Sequence, residues 1–116
     1  MSRILAVLAV VALGASSIMA APETIRGEVV DVKCQKTKGA AGVGAGHIGC
    51  IMTCARNGEQ LGIMTKDAVY EIAGEYSANN NAKLLEFLAS EVDVTGEVTT
   101  KDGRKIITVT SMKIVE

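Results

Sequence analysis

Apolar and polar residues alternate along much of this chain in the two-residue rhythm of β-strands, and two stretches break the rhythm. Ile25 to Val32 (IRGEVVDV) predicts a first strand. Gln60 to Thr65 and Ala68 to Ile72 predict two more around a tight Lys66-Asp67 turn. Val92, Val94, Gly96 and Val98 share one face of a strand running from Val92 to Thr100. Asp102-Gly103 is a two-residue hairpin signal, and Ile106 to Val115 is the return strand. The first break is Lys36 to Gly49, a Gly/Ala stretch with five glycines between positions 39 and 49. It predicts no regular structure until something fixes it. His47 to Arg56 then predicts a short helix ended by Asn57-Gly58. The second break is Asn79-Asn80-Asn81, capping candidates for a helix over Ala82 to Ala89. Leu84, Leu85, Phe87 and Leu88 give that helix its apolar face.

This order predicts a mainly β fold, a five-stranded OB-fold-like barrel. One helix falls between strands 3 and 4, and a short Cys/His helix falls between strands 1 and 2. Gly27, Gly62 and Gly96 interrupt strand patterns where such a barrel must bend. The IRGEVVDVKC, VDVTGEV and ITVTSMKIV strands and the HIGCIMTCARNGEQLGIMT block resemble small exported bacterial proteins of OB-fold type that carry a Cys/His loop. That resemblance implies the barrel. It brings no activity, because function on such a fold resides in its sites.

The amino end changes the expected compartment. Arg3 precedes an uninterrupted apolar run from Ile4 to Leu13, followed by small residues Gly14 to Ser17, and Ile18-Met19-Ala20-Ala21 offers small residues at plausible cleavage positions. This is the pattern of a secretory signal peptide over residues 1–20, which leaves 21–116 as a single domain. The run is shorter than the roughly 20 residues of a transmembrane span, so no stable membrane anchor is expected. The mature protein is read as exported, periplasmic or extracellular, where disulfides persist. Composition excludes one partner class. The formal net charge is -1, and the aromatic residues are two Tyr and one Phe with no Trp. A nucleic-acid partner is therefore not expected, since single-strand binding needs a basic groove with stacking platforms.

The chemistry gathers in one window. The chain has three Cys and one His, and Cys34, His47, Cys50 and Cys54 all lie between residues 34 and 54. His47, Cys50 and Cys54 follow an i, i+3, i+7 spacing that shares a helix face. The glycine-rich loop has the slack to bring Cys34 alongside. A Cys3His set suits tetrahedral Zn²⁺, and thiolates with an imidazole also suit copper as Cu(I). Asp31, three residues before Cys34, is placed to orient His47. Met52 and Met64 are read as core residues rather than thioether ligands. Lys33, Lys36, Lys38 and Arg56 are read as solvated charges.

The competing use of the cysteines is a disulfide. Cys34 paired with Cys50 or Cys54 would staple the loop, at about 3 kcal/mol in the loop-entropy picture. Cys50 with Cys54 is poor, because helix neighbours one turn apart stand about 5–6 Å apart at Cβ and a disulfide needs roughly 3.8 Å. The odd count leaves one thiol free. There is no CxxC, which excludes a thioredoxin-type redox site and a CxxCH haem attachment. Gly44, Gly46 and Gly49 spell GxGxxG but follow no βαβ unit, so they carry no dinucleotide. No oxyanion hole is evident for a Cys–His pair, and no catalytic residue is assigned. Two readings stand. The first is an extracytoplasmic protein that binds zinc or copper through Cys34, His47, Cys50 and Cys54 in a structural or carrier role. The second is a disulfide-stapled OB-type module that binds a small ligand or a protein partner and keeps one free thiol.

Overall fold

Five strands close into a ring because β1 has two neighbours. The computed structural model describes residues 21–115, and the segment read as a signal peptide lies outside them. β1 (Glu23–Asp31) pairs antiparallel with β4 (Glu91–Lys101) through Glu23–Glu28 and with β2 (Leu61–Met64) through Glu28–Asp31. Gly27 sits at this change of partner, where a Cβ would run into the backbone carbonyl of Met64. A side chain there would force the two strands apart. β3 (Val69–Ala73) pairs with β2 and, in parallel, with β5 (Arg104–Ile114), and β5 pairs with β4. The order around the ring is β1-β2-β3-β5-β4.

Local sequence explains much of this. Val92, Val94 and Gly96 are buried on β4 while their neighbours are not. The β4–β5 register shifts between Thr95 and Gly96, and a Cβ on Gly96 would meet the Thr108 carbonyl. The bend is therefore a bulge built on glycine. Asp102 and Gly103 both have positive φ, 53° and 79°, as a type I′ hairpin requires. The turn at Lys66-Asp67 is closed by Thr65, whose hydroxyl accepts from the backbone N–H of Asp67 and Ala68, both at 3.1 Å.

The helices are where expectation and structure part. The described chain is 42% strand and 38% helix, so the fold is mixed α/β rather than mainly β. Helix α1 (Val32–Lys38) takes Val32 from the expected strand and runs into the stretch expected to be irregular, Lys36 to Gly49, which continues through 3₁₀ turns at Gly39–Gly42 and Ala45–His47. α1 forms because Asp31 caps it: its Oδ1 accepts from the Cys34 N–H at 2.9 Å. Lys36 and Lys38 sit in its last turn, where cations suit the helix dipole. α2 (Ile48–Arg56) follows, as the Cys/His pattern predicted.

The helix expected over Ala82 to Ala89 is instead a 3₁₀ segment, Ala82–Phe87, preceded by the short α3 (Ala78–Asn81). Asn79, Asn80 and Asn81 all adopt positive φ, which asparagine tolerates better than most residues and which no regular helix continues through. The Asn81 side chain does not cap its own helix. Its Nδ2 donates to the carbonyls of Ala55 (2.9 Å) and Glu59 (3.0 Å), tying this corner to the end of α2. The core joins both halves: Val29, Ile63, Ile72, Val94 and Ile107 from the ring pack with Ile51 and Ala55 of α2 and with Leu84 and Leu88.

Candidate functional site

The candidate site is built on the junction between β1 and the two helices inserted before β2. Asp31 is the last residue of β1, paired with Leu61 of β2, and its side chain is fully buried. Cys34 lies half-buried in the first turn of α1. Cys50 and Cys54 lie one turn apart on α2, the first exposed and the second half-buried. Ile51 and Ala55 on the adjoining face are buried and lock α2 onto the core. That packing brings the cysteine-bearing helix to the end of β1.

The thiols and the carboxylate act on one another. Burial first, and then the Asp31 carboxylate beside it, push the Cys54 thiol up to about 12, with Cys50 and Cys34 adding to the shift. The Cys54 thiol stands beside this carboxylate, while Asp31 Oδ2 is buried without a hydrogen-bond partner. Cys34 is also raised, by burial first, then by the charge of Asp31 and by Cys50, which acts on it through charge and hydrogen bonding. Lys38 is the cation that opposes this shift. Nearby negative charge thus disfavours the thiolate forms of Cys34 and Cys54. Raised thiols are the reverse of the lowered ones that nucleophilic chemistry uses.

Among the described residues the three cysteines are free and stand too far apart for a disulfide. Among the described residues no group of three His, Cys, Asp or Glu side chains stands at metal-ligand geometry. Of the five residues singled out from sequence, the structure sets Asp31 beside Cys34 and Cys54, and Cys50 beside those two thiols, with no three of them at ligand geometry. His47 ends a 3₁₀ turn, and its backbone (φ -112°, ψ 14°) is not helical, so the one-turn stagger toward Cys50 is broken. It is absent from the groups that shift Cys34 or Cys54. Asp31, expected to orient His47, caps α1 and faces the thiols. The sequence signal for that role was an aspartate directly before a helix start, obscured because no helix was expected there. Met52 packs against the core, as read.

A concavity lies beside α1, lined by none of the cysteines. A groove of about 330 Å³ is lined by Val32, Lys33, Lys36, Gln60, Glu71 and Arg104. Glu71 is buried and accepts from Arg104 Nη1 at 2.8 Å across the parallel β3–β5 pair. Sequence gave no signal for this groove, because its walls come from segments far apart in the chain. The chain matches no protein-family model, no curated protein and no solved structure.

Proposed function

We propose that this chain is a small exported metal-binding protein on an OB-fold-type barrel, holding Zn²⁺ or Cu(I) through the thiolates of Cys34, Cys50 and Cys54. The observation that carries the reading is one fully buried carboxylate, Asp31, beside the Cys34 and Cys54 thiols, where it raises the cost of ionising both, with the free thiol of Cys50 next to them. A cation relieves that cost by taking the place of the protons, so uptake releases protons and tightens as pH rises. The role is structural or that of a carrier. The strand order with β5 between β3 and β4, and the parallel β3–β5 pair, support the OB-type assignment. The apolar run from Ile4 to Leu13 supports export.

One observation favours a second reading. Cys50 is the thiol that acts on Cys34 as a hydrogen-bonding neighbour, so oxidation would join Cys34 to Cys50 and leave Cys54 free. The chain would then be a stapled binding module, with the groove beside α1 as its contact surface. Thiol counting and metal analysis on protein purified without air and without reductant separate the two. One metal per chain, lost in Cys50→Ser, supports the first. One disulfide with one free thiol supports the second. Three free thiols that take up no added metal sink both.

A further inference from the structure

We infer that Asp31, and not His47, supplies the fourth ligand of the thiol site, which makes it a tetrahedral Cys3Asp zinc site. The inference rests on the metal-binding reading above and extends it to the ligand set and the ion.

Asp31 is 0% exposed, and its two oxygens have different fates. Oδ1 accepts the Cys34 N–H at 2.9 Å, while Oδ2 is buried with no hydrogen-bond partner. Asp31 forms no ion pair among the described residues. A buried polar oxygen without a partner is uncommon and costly, and more so on a charged group. Capping α1 does not account for it. One oxygen is enough for a cap, and Asn or Ser would cap as well without burying a charge. Beside the carboxylate stand the Cys54 thiol and Cys34, whose amide N–H donates to Oδ1. A cation among those sulfurs gives Oδ2 its partner.

His47 is worse placed. It belongs to the 3₁₀ turn before α2, and its backbone departs from the helix that carries Cys50 and Cys54. The carboxylate also bears on the choice of ion. Zn²⁺ accepts thiolate sulfur and carboxylate oxygen together in a tetrahedral set. Cu(I) prefers soft sulfur ligands and gains little from a hard oxygen. A divalent ion also offsets more of the charge of three thiolates and a carboxylate than a monovalent one. Since no three of these groups stand at ligand geometry, binding turns the side chains, and Cys50, exposed on α2, has the freedom to do so.

The test compares wild type, Asp31→Asn and His47→Ala for Zn²⁺ and for Cu(I), each titrated against a chromophoric chelator. Asp31→Asn keeps a cap acceptor, so far-UV circular dichroism of the metal-free variant should match wild type. Its zinc affinity should fall more than about 100-fold, beyond the 10–100-fold that loss of a merely orienting group costs. Its Cu(I) affinity should hold, and His47→Ala should keep both. X-ray absorption on zinc-loaded wild type should show three sulfurs and one light atom without imidazole scattering. This holds whether or not Asp31→Asn folds. Imidazole scattering, a zinc loss of 100-fold or less in Asp31→Asn, or loss of zinc in His47→Ala would each overturn Asp31 as the ligand while leaving a thiol-bound metal intact. Wild type that takes up no zinc removes the underlying reading, and this one with it.

Discussion

The β4–β5 hairpin and the α1–α2 insertion are ordered by opposite means. In the hairpin, the alternation of Val92, Val94 and Gly96 and the Asp102-Gly103 turn specify the structure within their own segment. The insertion has few such signals. Beyond the Asp31 cap that starts α1, its fastenings come from elsewhere: Asn81 reaches across to the end of α2. Ile51 and Ala55 dock on a core that the ring supplies. The segment least determined by its own residues is the one that holds the cysteines. A site on such a segment is adjustable, and a ligand that binds it adds order where local sequence adds least.

That contrast can be broken most strongly from the ring side. Ile107 is fully buried, so Ile107→Ala should cost about 2–5 kcal/mol and lower the urea midpoint of the whole domain. An unchanged midpoint would mean that the ring does not support the insertion. Next in size is zinc itself. At free Zn²⁺ about 100 times its Kd, stability should rise by about 2.7 kcal/mol. Amide exchange should slow in α1 and α2 and not in β4–β5, and a chelator should reverse both changes. Protection that rises equally in both regions would count against a site in the insertion. Asn81→Ala comes third, at about 1–3 kcal/mol, because the Ala55 and Glu59 carbonyls lose their donor. Here exchange should speed in α2 and stay slow in the hairpin.

The smallest expected effect is a pH slope. Cys54 is raised from 9.0 to about 12, so between those values the folded state holds a proton that the unfolded chain releases. Its contribution is therefore present below about pH 9 and is lost as pH rises toward 12. Cys54→Ala should flatten the alkaline limb of a stability–pH curve measured without metal. An unchanged limb would show that Cys54 is not held protonated by its surroundings. Alkylation at pH 8 should mark exposed Cys50 before Cys54.

Legibility follows the same division. The five strands could be read because period-two alternation, a glycine bulge and a two-residue turn are local features. α1 could not, because its start depends on a buried aspartate and its carboxyl end runs into glycine-rich turns. The segment at 78–87 was misjudged because three asparagines take positive φ, and an apolar face alone does not distinguish an α-helix from a 3₁₀ segment. The gathering of the cysteines was visible in composition. Their arrangement around Asp31 without His47 was not, since it depends on how α2 docks against the end of β1.

The sequence by itself determined the strands, the hairpin turn, the bends at Gly27 and Gly96 and the confinement of every thiol to one window. All of these are set by residues within a few positions of one another. Only the tertiary structure decided which chemical groups meet. Ring closure through β1 and the burial of Ile51 and Ala55 bring Cys54 of α2 beside the carboxylate at the end of β1, and long-range contact of that kind leaves no mark in local spacing.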